Sequence, residues 1–294
     1  MNIALYGRVL NTADVLVAQN LVSLIENQGW TLWVYEKYYR HIRGKIIFRQ
    51  HPHLFSEDST LPSEIKYVFS LGGDGTLLNA ILFVKDSGIP MVGINTGRMG
   101  FLAGVDRGQI AECITDIANK NYIIEERSML QAISRNKVLE PFPYALNEFA
   151  LHKRDTASMI TVHTYLNGSF LNSYWVDGVI VATPTGSTGY SLSCGGPVIE
   201  PSSHSFVITP VAPHNLTVRP IILPDDSVLE FEVQGRSKNF LCSMDSRHDT
   251  FGPGERFMLR KASFKINLLR LKSYSFLHIL RSKLMWGEDT RNVR

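Results

Sequence analysis

Three glycines surround one carboxylate in the segment Gly72–Thr76, whose sequence is Gly-Gly-Asp-Gly-Thr. Glycines let the backbone come close to a ligand, and the N–H groups at the start of a helix attract an anion such as phosphate. A carboxylate repels that anion, so Asp74 must serve another purpose. It suits a general base for a hydroxyl group, or a partner of a metal ion that bridges phosphates. The alternative is an ordinary turn in which Asp74 only caps the following helix.

A second segment, residues 177–197, passes from an apolar stretch into a dense cluster of hydroxyls and glycines. It contains the run Thr-Pro-Thr-Gly-Ser-Thr at residues 183–188. Side-chain hydroxyls donate and accept hydrogen bonds, so they suit phosphate, ribose and amide groups. The length of the cluster favours a binding loop over a surface connector. Its hydroxyls belong to Thr185, Ser187, Thr188, Tyr190 and Ser193.

A third candidate is the pair Asn147–Glu148, which lies beside apolar residues. A carboxylate next to an amide can bind a vicinal diol such as the two hydroxyls of a ribose. An exposed strand edge is the alternative interpretation. His51 and His53 are close in sequence, but nothing nearby completes a metal site, which favours a solvated loop. The sequence has no P-loop, GxGxxG, HExxH or GxSxG motif.

Strands and helices alternate in the first third of the chain, which predicts a parallel sheet with crossover helices. After about residue 125 the apolar residues alternate instead, as in half-buried antiparallel strands, and Asn167–Gly168 is typical of a hairpin turn. We therefore predict an α/β domain over 1–125, a β-rich domain over 126–270 and a C-terminal segment over 271–294. The predicted elements are strands at 2–6, 31–35, 67–71, 91–94, 161–166, 169–171, 229–233 and 264–268 and helices at 13–27, 77–85 and 274–286.

Composition excludes several classes of protein. Of the 294 residues, 44% are hydrophobic and 19% are charged, so the chain is not disordered or of low complexity. A net charge of +3 without a run of like charges does not favour a nucleic-acid partner. No segment resembles a signal peptide or reaches the roughly 18 apolar residues that span a bilayer, which predicts a cytoplasmic protein without a membrane partner. The three cysteines, Cys113, Cys194 and Cys242, are too far apart to suggest a disulfide framework.

In their order and spacing, these motifs resemble those of the NAD kinase family. Diacylglycerol and sphingosine kinases share the Gly-Gly-Asp-Gly-Thr segment, whereas the Thr-Pro-Thr-Gly-Ser-Thr run downstream of Asn147–Glu148 is far more specific. The resemblance implies an N-terminal α/β (Rossmann-like) domain, a C-terminal β-sandwich-like domain and a C-terminal helix that returns to the first domain. The implied activity is transfer of the γ-phosphate of ATP to the 2′-hydroxyl of the adenosine ribose in NAD, which gives NADP.

The same resemblance implies roles for individual residues. Asp74 matches the catalytic base of the family. A divalent cation, Mg²⁺ or Mn²⁺, is the implied cofactor, and NAD and ATP are the implied substrates. Family members form homodimers or homotetramers, in which a neighbouring subunit can complete the NAD site. The positions that match NAD-binding residues are Asp74, Gly75, Asn147, Glu148, Asp177, Thr188, Gly189, Tyr190, Ser191, Leu192, Ser193, Ala212 and Arg247.

Two departures and two alternatives accompany the resemblance. Many relatives have alanine where this chain has Gly189, and many have a basic residue at the position of Leu82. The second departure leaves neutralisation of phosphate charge to a metal and to backbone N–H groups. The alternative functions are a lipid or sugar kinase that shares the glycine segment, and a non-catalytic sensor that binds a dinucleotide without turnover.

Overall fold

The chain folds into two compact units in this computed structural model. Unit 1 comprises Met1–Glu125 and Ile266–Arg294, and unit 2 comprises Glu126–Lys265. The structure describes residues 1–8, 12–57, 60–97, 100–154 and 158–286.

Unit 1 contains a parallel sheet with the strand order β3-β2-β1-β4-β5. Helices connect β1 to β2, β2 to β3 and β4 to β5, as the alternating pattern of the sequence predicts. Residues 37–65, which the sequence leaves unassigned, form most of one helix and one short strand. The elements are β1 (Asn2–Gly7), α1 (Thr12–Asn27), β2 (Thr31–Tyr35), α2 (Glu36–Ile42), β3 (His53–Phe55), β4 (Ile65–Gly72), α3 (Asp74–Val84), β5 (Met91–Asn95) and α4 (Ile110–Ala118).

Unit 2 is built from two antiparallel sheets. In the first, the order is β10-β9-β14-β17, with β6 paired to β17 and β7 to β6; in the second it is β13-β12-β11-β8-β15-β16. The strands and one short helix are β6 (Tyr122–Ser134), β7 (Tyr144–Ala145), β8 (Glu148–Lys153), β9 (Ile160–Leu166), β10 (Ser169–Val176), β11 (Gly178–Ala182), α5 (Tyr190–Ser193), β12 (Ser205–Val211), β13 (Ile221–Pro224), β14 (Leu229–Gln234), β15 (Phe240–Met244), β16 (Arg247–Phe251) and β17 (Arg256–Leu271).

Apolar residues of the two sheets share one core in unit 2, so this unit is a β-sandwich. Phe149 and Phe206 come from the second sheet, and Phe231 and Phe257 come from the first. The predicted hairpin between β9 and β10 is confirmed: Asn167 and Gly168 have φ values of 49° and 78°. Two positive φ values in succession are what a two-residue turn of this twist requires.

The C-terminal part of the chain, from Ile266, belongs to unit 1. Leu268 at the end of β17 pairs with Met91 of β5. A final helix, α6 (Phe276–Leu284), follows, and its N-cap Ser275 accepts a hydrogen bond from the N–H of His278. The predicted fold class, an α/β domain with a β-sandwich and a C-terminal helix, is therefore confirmed. None of the described helices is long and apolar enough to cross a membrane.

Candidate active site

The glycine segment lies at the carboxyl edge of the parallel sheet in unit 1. β4 ends at Gly72, which pairs with Asn95 at the end of β5, and Gly72 accepts a hydrogen bond from the N–H of Thr96. α3 begins two residues later, three residues before the predicted start. Ligands of open α/β sheets bind beyond this edge. The first part of the predicted site therefore occupies the position that the fold provides for it.

Asp74 is the first residue of α3, and a distant loop holds its carboxylate. Oδ1 accepts hydrogen bonds from the N–H groups of Leu102 and Ala103 at 3.1 and 2.9 Å, and Oδ2 accepts one from Phe101 at 2.8 Å. Gly73 occupies the N-cap position of the helix, so Asp74 does not act as its cap. A carboxylate has about four acceptor positions, two on each oxygen. The remaining one therefore belongs to Oδ2.

In unit 2, the carboxylate of the half-buried residue Asp245 holds the backbone of the Asn147–Glu148 pair. Its oxygens accept hydrogen bonds from the N–H groups of Leu146, Asn147 and Glu148 at 2.9, 2.8 and 3.3 Å. The N–H of Asp245 donates in return to the carbonyl of Glu148 at 3.0 Å. Asp245 occupies the turn between β15 and β16 with a φ of 51°. Aspartate tolerates this left-handed conformation better than most residues.

The Thr-Pro-Thr-Gly-Ser-Thr run packs against the other side of the same pair. Thr183 donates from its N–H to the carbonyl of Asn147 at 2.9 Å and from its hydroxyl to that of Leu146 at 2.6 Å. A Cβ built on Gly186 would lie 2.1 Å from the carbonyl oxygen of Asn147, so only glycine fits there. The two motifs of unit 2, which are more than 30 residues apart in sequence, therefore form one structure.

The carboxyl group of Glu148 has a strongly shifted pKa. Burial raises the pKa of Glu148 to about 8, and the nearby Asp245 carboxylate acts in the same direction. Its Oε2 has no hydrogen-bond partner among the described residues, and neither has Oδ1 of Asn147. Two buried acceptors without donors, side by side, suit a ligand that brings hydroxyl groups. Gly189 leaves space beside them, because a Cβ there would lie 3.2 Å from Oε2 of Glu148.

Asp177 and Ala212 come together at the end of neighbouring strands. The N–H of Asp177 donates to the carbonyl of Val211 at 3.0 Å, and Ala212 follows directly with a φ of 45°. The carboxylate of Asp177 is partly exposed and forms an ion pair with Lys153 at 2.6 Å. Asp177 is therefore available to solvent and to a ligand, although it already has one cationic partner.

The predicted NAD-binding residues at 188–193 divide into two groups. The Ser191 hydroxyl is fully buried and shares a hydrogen bond of 2.7 Å with Thr209, and that of Thr188 donates to the carbonyl of Thr185 at 3.2 Å. Leu192 is half-buried, whereas Ser193 and Tyr190 are exposed. Side-chain contacts with a ligand are therefore open to Tyr190 and Ser193, and Ser191 supports the loop from inside.

Tyr190 and Arg247 have contacts within unit 2 that bear on their predicted roles. The ring of Tyr190 lies over His152, with 5.5 Å between centroids, and burial lowers the pKa of that histidine. The guanidinium of Arg247 donates to the carbonyls of Phe142 and Tyr144. A neutral imidazole under Tyr190 gives the ring a flat support, whereas Arg247 is already engaged with the backbone.

The sequence alone does not single out Asp245 or the loop at 101–103. A short turn between two strands gives no sign that its aspartate reaches residues about 100 positions away. The three backbone N–H groups that bind Asp74 cannot be recognised from residue types either. The neighbouring residues Arg98 and Met99 lie outside the described part of the chain. Among the described residues, no group of three or more His, Cys, Asp or Glu is placed to hold a metal ion.

The chain matches two protein-family models. Residues 14–122 match the family model of the ATP-NAD kinase N-terminal domain, and residues 146–271 match that of the ATP-NAD kinase C-terminal domain. Both models describe kinases, so the chain is a phosphotransferase. It belongs to the NAD kinase family. The predicted function, a phosphotransferase that makes NADP from NAD, is confirmed, and neither a lipid or sugar kinase nor a sensor is favoured.

Full-length relatives agree with this assignment, and two solved structures have a similar fold. The NAD kinase of Cytophaga hutchinsonii is 43% identical over 293 residues, which cover 99% of this chain and 100% of that protein. That of Bacteroides fragilis is 41% identical over 292 residues, with the same coverage. Yeast NADH kinase complexed with NADH has a TM-score of 0.87 at 21% identity, covering 100% of this chain and 90% of that one. An NAD kinase from Archaeoglobus fulgidus in complex with ATP has a TM-score of 0.75 at 23% identity, covering 97% and 99%. These two structures share the fold.

Proposed function

We propose that Asp74 is the general base that activates the 2′-hydroxyl of the adenosine ribose in NAD. The observation that carries the proposal is the position of its carboxylate, held by three N–H groups beside a glycine segment, with one acceptor position left on Oδ2. Oδ2 takes the proton of the hydroxyl, the ribose oxygen bonds to the γ-phosphorus of ATP, and the bond from that phosphorus to the β-phosphate oxygen breaks. The products are NADP and ADP. Phosphoryl transfer depends mainly on this kind of alignment and on charge neutralisation.

Unit 2 supplies most of the residues that we propose bind NAD. Glu148 and Asn147 bind the ribose hydroxyls, because their side chains offer two buried acceptors without donors. This contact selects one hydroxyl over its neighbour for the reaction. The partly exposed carboxylate of Asp177 and the exposed side chains of Tyr190 and Ser193 bind the rest of the dinucleotide. Backbone atoms of Thr188, Gly189, Ser191, Leu192, Ala212 and Arg247 line the same site.

A divalent cation would be held mainly by the phosphates of ATP and not by a cluster of side chains of this protein. Mg²⁺ commonly keeps several waters and binds through substrate phosphates with few protein carboxylates. That mode fits this chain, because the described residues form no cluster of three acidic or metal-binding side chains and the Asp74 carboxylate is already held by backbone donors. When bound, Mg²⁺ or Mn²⁺ neutralises the charge of the phosphates.

We also propose that the protein works as a homodimer or homotetramer in the cytoplasm, in which a neighbouring subunit completes the NAD site. Its three cysteines are free, which agrees with a reducing compartment. Light scattering of the purified protein with and without NAD tests the proposed oligomeric state. A monomer at assay concentration, with full activity, would exclude it.

The central experiment measures NADP formation from NAD, ATP and Mg²⁺ with an NADP-specific dehydrogenase. The wild-type protein is compared with Asp74→Asn and with Asp86→Asn, which changes an exposed aspartate just after α3. We expect NADP from the wild type and from Asp86→Asn, and strongly reduced turnover from Asp74→Asn. Normal turnover by Asp74→Asn would assign the base to another group.

A further inference from the structure

We propose that Arg270 is a positioning residue for Asp74, acting through the loop that holds the carboxylate. The proposal rests on the role of Asp74 as general base. Arg270 lies near the end of β17, in the part of this strand that belongs to unit 1, and is only 3% exposed. Its Nη1 donates a hydrogen bond of 2.6 Å to the carbonyl of Leu102, and the N–H of Leu102 donates to Oδ1 of Asp74 at 3.1 Å. One residue thus connects a buried guanidinium to the catalytic carboxylate.

Arg270 is itself fixed in place. Its Nε donates to Oε2 of Glu125 at 2.8 Å, and its guanidinium lies over the ring of Tyr274, 4.2 Å from the centroid. The loop leaves just enough space for it, because a Cβ built on Gly104 would lie 2.5 Å from Nη1. Planar guanidinium groups direct their donors rigidly, so this arrangement fixes the orientation of the Leu102 carbonyl.

The segment after Arg270 secures the same loop at a second point. The Tyr274 hydroxyl donates to the carbonyl of Phe101 at 3.4 Å, and the ring of Phe101 packs against Phe276, with centroids 6.2 Å apart. Phe101 also donates its N–H to Oδ2 of Asp74. The residues that supply two adjacent N–H donors to the carboxylate, Phe101 and Leu102, therefore accept hydrogen bonds at their carbonyls from residues about 170 positions later in the sequence.

Stability alone does not explain this choice of residue. Replacing a buried ion pair by apolar side chains of similar volume is often neutral or stabilising. The directed hydrogen bonds of a buried arginine therefore explain its presence better than a contribution to folding stability does. An apolar side chain at position 270 could fill the space but could not hold the Leu102 carbonyl. The loop would then be free to shift, and Asp74 with it.

The test separates alignment from folding and from substrate binding. Arg270→Met fills the space without donors, and Arg270→Lys keeps the charge beside Glu125 but cannot satisfy both partners. Arg281→Met, at an exposed position of α6, is the matched control. Because a displacement of about 1 Å can reduce a rate 10²-fold, we expect kcat to fall by about 10- to 100-fold in both Arg270 variants. KM for NAD should change less than about threefold, because the acceptors proposed to hold the ribose, Asn147 and Glu148, belong to unit 2. The control should equal the wild type.

A double-mutant cycle decides whether Arg270 acts through Asp74. In the Asp74→Asn background, Arg270→Met should change the remaining rate by less than about threefold, since there is no longer a base to align. An equal loss in both backgrounds would overturn the proposal, as would a normal kcat in either folded Arg270 variant, with folding checked by NAD titration. If Arg270→Met does not fold, Arg270→Lys takes its place in the cycle. If the proposed function itself is wrong, the result is different: the wild type forms no NADP, or the single variant Asp74→Asn has normal turnover.

Discussion

Gly100 lies against the carboxylate of Asp74 so closely that no side chain fits between them. A Cβ built on Gly100 would lie 1.7 Å from Oδ1 and 2.3 Å from Cγ of Asp74. The glycine is therefore required by a contact with a side chain 26 positions earlier. Gly104 leaves space for Arg270 in the same way, so the loop has a glycine beside a charged group at each end.

Gly100→Ala should displace the Asp74 carboxylate and reduce turnover. We expect kcat to fall by about 10²-fold, the effect of a shift of roughly 1 Å, while NAD still binds. Gly108→Ala is the matched control, because a Cβ there meets nothing within 4 Å. Steady-state kinetics and NAD titration of both variants measure the effect. Equal kinetics of the two variants would mean that the loop yields and that the Asp74 position is not critical.

Asp74→Asn should lower kcat by about 10²- to 10⁴-fold, the usual contribution of positioned proton transfer. It should also destabilise the protein by about 1–3 kcal/mol, because the amide NH₂ group cannot accept one of the three N–H bonds. Denaturant unfolding and kinetics are measured on the same sample. If added Mn²⁺ restores part of the rate, Asp74 is a metal ligand rather than the base.

Glu148→Gln should weaken NAD binding and leave ATP binding nearly unchanged. Hydrogen bonds to a charged acceptor contribute about 1.5–3 kcal/mol, so we expect the Kd for NAD to rise by about 10- to 100-fold. Titration at pH 9 gives the clearest result, since Glu148, with a pKa of about 8, is then mostly ionised. Equal weakening of both substrates would point to a structural role for Glu148.

The same residue predicts how stability depends on pH. The pKa of Glu148 is raised to about 8 in the folded protein, from 4.5 in the unfolded chain. Between these values the folded state binds more protons than the unfolded state, so the free energy of unfolding falls as pH rises from about 4.5 to 8. Glu148→Gln lacks this contribution and should become more stable than the wild type above pH 8 but not below pH 4.5. Urea unfolding of the unliganded proteins across this range measures the difference. Parallel curves would contradict it.

Asp245→Asn should impair the NAD site without touching the ligand. An amide cannot accept all of the hydrogen bonds from Leu146, Asn147 and Glu148, so at least one buried N–H loses its partner. We expect a loss of stability of about 1–3 kcal/mol and a KM for NAD raised by about tenfold. Asp226→Asn, at an exposed position, is the control. An unchanged KM with normal stability would show that the turn holds the pair without this carboxylate.

The sequence predicts those parts of the fold that depend on local pattern. The hairpin at Asn167–Gly168 follows from residue type alone, because these residues adopt positive φ readily. The strand Thr31–Tyr35 follows from its β-branched and aromatic residues. The helix from Thr12 to Asn27, predicted over 13–27, follows from periodicity. α3 begins earlier than predicted because Gly73 serves as its N-cap, which brings Asp74 into the first turn.

The sequence does not predict which distant residues hold the candidate site. Asp245 and Arg270 act on backbone groups about 100 and 168 positions away, and such contacts depend on how the chain returns to each unit. Single-sequence patterns carry no information on these pairings. The roles of the predicted site residues stay predictions.

Because Glu148 is protonated in the unliganded protein, the binding of NAD should release a proton. In most unliganded molecules at neutral pH this side chain keeps its hydrogen, since its pKa is about 8. Ribose hydroxyls that donate to this side chain favour its ionised form, so the bound dinucleotide causes it to release a proton to the buffer. The affinity for NAD then depends on the pH of the solution. Calorimetry in buffers of different ionisation enthalpy would count the protons released.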